Sequence, residues 1–218
     1  LKVRLMTFSI LIFDEETQTF AGGTATGTIC VGGWVLRADP RMGISATQGS
    51  QPSTIWGEDL LEYMGKGEPS NKAIETIINK DIHKEFRQVS TIDKHGNPGY
   101  FSGSENEPVI DQYINKNIVI TGNTLKNTKV IKAILNGYKN SNNDLTKKII
   151  NALEKGHEAG GDRRGLQSAA ILIVNNKKPP INLRIDYANN PINELKILYE
   201  KTCHNNYKNW LKSLPTRN

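Results

Sequence analysis

Hydrophobic and polar positions at the start of the chain follow a strand pattern. Thr7-Phe-Ser-Ile-Leu-Ile-Phe13 is dense in β-forming residues, Asp14-Glu-Glu-Thr17 reads as a turn, and Thr19 to Thr26 returns, which predicts a hairpin. Cys30 to Leu36 and Met42 to Gln48, parted by Asp39 and Pro40, predict two further strands. The period then changes. Trp56, Leu60, Leu61 and Met64 share one helical face that Gly65 and Gly67 close, and Ala73, Ile74, Ile77 and Ile78 form a second face behind Pro69, which suits a first turn.

Strand signals resume with Phe86 to Asp93 and Gly99 to Gly103 around Lys94-His-Gly-Asn97, and with Asn117 to Thr121. Val130, Ile131, Ile134, Leu135 and Tyr138 mark a third amphipathic helix; Leu145, Ile149, Ala152 and Leu153 mark a fourth, capped by Asn143 or Asp144 and ended by Gly156. Gln167 to Val174 is apolar enough for a buried strand, Ile181, Leu183 and Ile185 alternate with polar residues as a half-exposed one, and a last helix starts at Asn190-Pro191. Blocks of strands separated by helix pairs indicate an α+β protein. They suit two stacked, mainly antiparallel sheets flanked by helices, a four-layer αββα sandwich, better than strict βαβ winding.

At 218 residues with 37% hydrophobic and 23% charged positions, the chain suits one globular domain, placed at residues 7–200. Residues 1–6 read as a leader or added segment and 201–218 as a tail, the least ordered piece. The longest apolar stretch, Ile29 to Leu36, is far short of the roughly 20 residues that cross a bilayer, so no membrane partner is expected. Twenty-eight basic against 22 acidic residues leave a charge of +6, but the lysines are scattered among Asn and Glu without interleaved aromatics, which favours a solvated surface over nucleic acid. Two distant cysteines, Cys30 and Cys203, build no disulfide framework and fit a cytoplasmic setting.

The familiar motifs of cofactor chemistry are missing. Gly22-Gly-Thr-Ala-Thr-Gly27 lacks dinucleotide spacing, no phosphate-binding Gly-Lys-Ser/Thr loop exists, and His83, His95, His157 and His204 stand too far apart for metal-ligand spacing, so neither cofactor nor metal is expected. Cys30 reads as a packed strand residue more than as a rival nucleophile, and Trp34 and Trp56 read as core. What remains are polar residues in glycine-rich strand ends: Ser45-Ala-Thr-Gln48, Thr121-Gly-Asn123 and Ala159-Gly-Gly-Asp-Arg-Arg-Gly-Leu-Gln-Ser-Ala-Ala170. Each alone is also ordinary turn chemistry.

Taken with Thr7-Phe-Ser-Ile10, Glu85-Phe-Arg-Gln88 and Leu183-Arg-Ile-Asp186, these segments resemble, from about residue 7 to 200, a bacterial and archaeal family of N-terminal-nucleophile-hydrolase-like proteins of largely undefined activity. The resemblance implies the αββα fold of the proteasome-like superfamily and its acyl-transfer chemistry, in which an N-terminal Thr, Ser or Cys attacks an amide while its own α-amine takes the hydroxyl proton. Thr7 matches the nucleophile, since family members begin there just after the initiator Met and a Met-Thr bond suits methionine aminopeptidase. With Leu1 to Met6 attached, the nitrogen of Thr7 is an amide and not a base.

On the same resemblance, Asn123 is the oxyanion donor, within a Thr121-Gly-Asn123 that stands where the family shows Gln-Gly-Asn. Asp162 supports catalysis, and with Arg87 it is a candidate to orient the α-amine or grip a substrate carboxylate. Arg164 and Arg87 bind substrate, while Gln48, Thr24 and Thr26 line the site. The expected function is an amidohydrolase acting on a small linear amide or ureide once the α-amine of Thr7 is free, in a homo-oligomer. The alternative is a non-catalytic member of the fold that binds a small polar ligand or assembles with itself, and a basic nucleic-acid-binding domain ranks third.

Overall fold

The computed structural model describes residues 6–106, 109–141, 144–160 and 165–217. In chain order the elements are β1 (Thr7–Asp14), β2 (Thr19–Thr26), α1 (Val31–Trp34), β3 (Leu36–Asp39), β4 (Gly43–Gln48), α2 (Thr54–Gly65), α3 (Ser70–Ile78), β5 (Gln88–Asp93), β6 (Pro98–Ser102) and β7 (Asp111–Asn115). There follow β8 (Ile118–Asn123), α4 (Lys129–Lys139), α5 (Leu145–Glu158), β9 (Ser168–Asn175), β10 (Lys178–Ile185), α6 (Pro191–Thr202) and α7 (Asn205–Lys212).

The strands form two sheets, one six-stranded in the order β10-β9-β2-β1-β8-β7 and one four-stranded in the order β3-β4-β5-β6. Every pairing is antiparallel. Alternation along β1 assigns each side chain to a layer. Phe8, Ile10 and Ile12 pack with Ile134, Ile149 and Leu153 of α4 and α5, whereas Leu11 and Phe13 point the other way, onto Ile44 and Ile92 of the second sheet. Trp56, Leu60 and Met64 of α2 and Ile74 of α3 cover that sheet's far face around Val89. Helices, sheet, sheet and helices are thus stacked in order. Burying each large apolar side chain contributes about 1.5–3 kcal/mol, so the three clusters dominate the stability.

Several local features differ from the sequence expectation. Cys30 to Leu36 is not one strand: Val31 to Trp34 make a single helical turn, and β3 begins at Leu36. Gly32 and Gly33 remove the β-branched neighbours a strand needs, and Gly32 lies so close beneath Arg184 of β10 that an added Cβ would sit 2.7 Å from its Cγ. Cys30 itself takes a left-handed backbone (φ 64°) before this turn and is half-buried. Trp34 is 53% exposed, whereas Trp56 is core as expected. β7, Asp-Gln-Tyr-Ile-Asn, is the outer edge strand: Tyr113 packs half-buried against the core while Ile114 is exposed, so it carries little apolar signal. The tail beyond Lys201 holds a helix, α7.

Other signals translate directly into geometry. The β5–β6 turn is held by Asp93, whose carboxylate accepts from the backbone N–H groups of His95 (2.8 Å) and Asn97 (3.0 Å). Gly96 supplies the positive φ of 79° that this turn demands. Asp144 caps α5 by accepting from the Lys147 N–H, while the other candidate cap, Asn143, lies outside the described residues.

Candidate functional site

The space between the sheets is apolar at one end and polar at the other. Leu11, Phe13 and Phe20 fill the first; toward the start of β1 the same inward-facing positions are Thr7 and Ser9, with Thr24 and Thr26 on β2, Thr121 and Asn123 on β8, and Gln48, Gln88 and Ser90 opposite. All nine are buried, so each polar group needs a partner within the protein.

Strand register sets the centre of this end. Thr7 of β1 stands directly beside Thr26 of β2 and Asn123 of β8, so the three side chains lie abreast on one face. The Thr26 hydroxyl donates to the main-chain carbonyl of Met6 at 2.7 Å and therefore accepts from Thr7, whose Oγ1 lies 3.0 Å away. Thr7 is 6% exposed. The Asn123 amide donates to Thr124 Oγ1 at 3.3 Å, and Thr124, with φ 55°, turns the chain out of β8.

The sheets are stitched together by two glutamines. Ser9 Oγ lies 2.5 Å from Gln48 Oε1, Gln48 Nε2 donates to the Thr7 carbonyl (3.2 Å) and to Gln88 Oε1 (2.6 Å), and Gln88 Nε2 donates to the Gly122 carbonyl (3.1 Å) and toward Ser102 Oγ (3.3 Å). Thr24 donates to the Phe8 carbonyl at 3.1 Å and sits 3.0 Å from Ser9 Oγ. Each glutamine nitrogen is thus spent on carbonyl or hydroxyl oxygens, which fixes the orientation of both amides. Tyr100 joins the edge of this network, its hydroxyl oxygen accepting from Gln88 Nε2 at 3.5 Å; burial pushes that hydroxyl above the usual phenol range.

Five of the eight residues singled out from the sequence converge here: Thr7, Asn123, Gln48, Thr24 and Thr26. Arg87 is placed elsewhere. It precedes Gln88, and neighbours on an extended chain point to opposite faces; its guanidinium pairs with Asp81 at 3.1 Å, donates to the Gln51 carbonyl and lines a shallow groove with Trp56 and Ile82. Burial alone would raise the Asp81 carboxyl, but the His83 N–H and Arg87 hold it below the ordinary carboxylate range. Asp162 and Arg164 lie outside the described residues.

The sequence reading missed Ser9, Gln88, Ser90 and Thr121 as members of the network. Their available signal was polar residues at every second position of strands too apolar on the other face to be exposed. Among the described residues, every side chain named in this network is an uncharged hydroxyl or amide, and no three His, Cys, Asp or Glu side chains converge to hold a metal ion. No helix among the described residues is long and apolar enough to cross a membrane. The arrangement offers hydroxyls, amide donors and carbonyl acceptors at fixed positions, the chemistry that orients a polar, uncharged group.

A model of a family of unknown function, DUF1028, matches residues 7–195, from the first residue of β1 to the middle of α6. Among solved structures, the crystal structure of protein SPO2555 from Silicibacter pomeroyi, carrying the same family model, is 37% identical and superposes with a TM-score of 0.93, over 97% of this chain and 92% of that one. None of the curated proteins compared matches the chain.

Proposed function

We propose, for a chain that belongs to the DUF1028 family of unknown function, that the polar end of the sandwich is the active site of an N-terminal-nucleophile amidohydrolase. The observation that carries this reading is the row of Thr26, Thr7 and Asn123 across three adjacent strands at the start of β1. Stacked sheets between helix layers, with a threonine opening a central strand at a polar sandwich end, are what the N-terminal-nucleophile superfamily would require. Because fold alone does not decide chemistry, the reading rests on this row of side chains.

In a chain beginning at Thr7, the free α-amine takes the hydroxyl proton as Thr7 Oγ1 adds to the carbonyl carbon of a small linear amide or ureide. The carbonyl oxygen becomes an oxyanion, for which the amide of Asn123, beside Thr7 on the neighbouring strand, is the proposed donor. Collapse breaks the C–N bond, the amine leaves with the proton from the α-ammonium, and water then cleaves the Thr7 ester by the reverse proton path. Thr26 positions the nucleophile. Its hydroxyl donates to the Met6 carbonyl in the longer chain; in this reading the hydroxyl is released when Met6 is gone and its oxygen then accepts an N–H of the new amine.

In the longer chain the Met6–Thr7 peptide nitrogen is no base, and Thr7 is buried and engaged by Thr26. That burial favours, as a second reading, a non-catalytic member of the fold. The two are separated by assaying amine or ammonia release from a panel of short amides and ureides, using the chain that starts at Thr7 and its Thr7→Ala variant. Release by the first and none by the second is expected; equal behaviour of the two supports the non-catalytic reading.

A further inference from the structure

At the β10 end of the six-stranded sheet, β3, the last strand of the smaller sheet, packs against β9, and α1 lies against β10. Between β3, β9, β10 and the segment Pro215 to Arg217 runs a groove of about 640 Å³, within the size range of ligand sites. Its floor is Leu36 of β3 with Leu172 and Val174 of β9, and Pro179 and Pro180 form one wall.

The polar rim is cationic. Arg37, Lys178, Arg184 and Arg217 line the groove against a single acid, Asp39. Three of the four cations have an internal carboxylate: Arg37 meets Glu58 at 3.3 Å, Arg184 meets one oxygen of Asp186 at 2.9 Å, and Arg217 approaches Asp39 at 4.0 Å. Asp39 is already held by Arg41 at 2.8 Å, which keeps its carboxyl below the ordinary range. Lys178 makes no ion pair among the described residues, which leaves one positive charge uncompensated at the lip of an apolar trough. The Arg184–Asp186 pair is exposed on both sides, so it is weak and readily rearranged.

We propose that this groove binds a medium-chain aliphatic carboxylate, its hydrocarbon on Leu36, Leu172 and Val174 and its head group against Lys178 and Arg184. A monoanion matches the single unpaired charge, where a dianionic phosphate would need a second. Burial of the chain against leucine, valine and proline supplies the affinity, and the lysine supplies the preference for an anion over a neutral chain. The site is on the opposite side of β2 from the Thr7 strand and does not depend on the amidohydrolase reading.

Calorimetric titration with decanoate tests it. Saturable binding at one site per chain is expected, with decanol at least tenfold weaker. Lys178→Glu and Pro180→Glu, both at exposed positions and checked for fold by circular dichroism, each weaken decanoate at least tenfold, while Thr7→Ala binds it like the parent. Absence of saturable decanoate binding, equal binding of decanol, indifference to both groove variants, or loss of binding in Thr7→Ala would each overturn the proposal.

Discussion

Gln48 reaches from the four-stranded sheet to the main-chain carbonyl of Thr7 on the six-stranded one, its Nε2 lying 3.2 Å from that oxygen. The contact holds the first residue of β1 by its main chain, where Thr26 engages its side chain. It also closes the chain from Ser9 through Gln88 to Gly122, so one amide secures both the sheet packing and the position of Thr7.

Replacing Gln48 by Leu, close in volume, takes the Gln48 donor from the Thr7 carbonyl and from Gln88 Oε1, while Ser9 Oγ keeps Thr24 Oγ1 at 3.0 Å. At about 1–3 kcal/mol for each orphaned buried group, and with the two coupled, a loss of roughly 2–4 kcal/mol is expected. Urea unfolding measures it. A loss well below 1 kcal/mol would mean that the sheets are not stitched at this point.

Thr26→Val keeps the shape of the side chain and deletes its hydroxyl. In a chain starting at Thr7, kcat falls about 10- to 100-fold with KM nearly unchanged, Thr26→Ser restores most of the rate, and the pH profile of kcat/KM shifts because the α-amine has lost a neighbour. An unchanged pH profile would make Thr26 a packing residue only.

Asn123→Ala removes the amide proposed to meet the developing oxyanion. The expected cost is about 10²- to 10³-fold in kcat with little change in KM, the signature of an interaction made in the transition state. A rise in KM alone would assign Asn123 to substrate binding.

Asp81 and Arg87 tie the turn after α3 to the start of β5, each side chain being less than one-fifth exposed. Because the folded-state carboxyl of Asp81 is depressed, its contribution is fully present above the unfolded value near 4 and is lost as pH falls through the lower folded value. Asp81→Asn should therefore destabilise by about 1–2 kcal/mol at pH 7, and the difference from the parent should be smaller at about pH 3. Denaturant titrations at the two pH values check the sign.

Much of the fold was legible from periodicity. Thr7 to Phe13 is dense in β-forming residues, α4 and α5 carry strong apolar faces, and Gly96 and Asp93 declare their turn, because in each case the local signal and the tertiary demand coincide. Val31 to Trp34 was misread because two glycines beside β-formers leave no period, and the demand that decides it, the approach of Arg184, comes from a strand some 150 residues later in the chain. β7 was invisible because this edge strand buries little, with Tyr113 half-buried against the core in five otherwise weakly patterned residues.

At the site, strand register brought five proposed residues together, yet parity moved one away. Arg87 and Gln88 are adjacent, and only the structure tells which of them faces the other sheet. The network of Ser9, Gln88, Ser90 and Thr121 escaped for a related reason: hydroxyls and amides on strands look like surface until the second sheet is placed over them.

The most direct measurement is intact-mass and peptide-mapping analysis of the chain beginning at Thr7 after brief reaction with an amide-mimicking acylating agent such as a small β-lactone. The account predicts one added acyl group per chain, located on Thr7 and absent from Thr7→Ala. Acylation spread over surface lysines, or none on a folded chain with a free Thr7 amine, would contradict it.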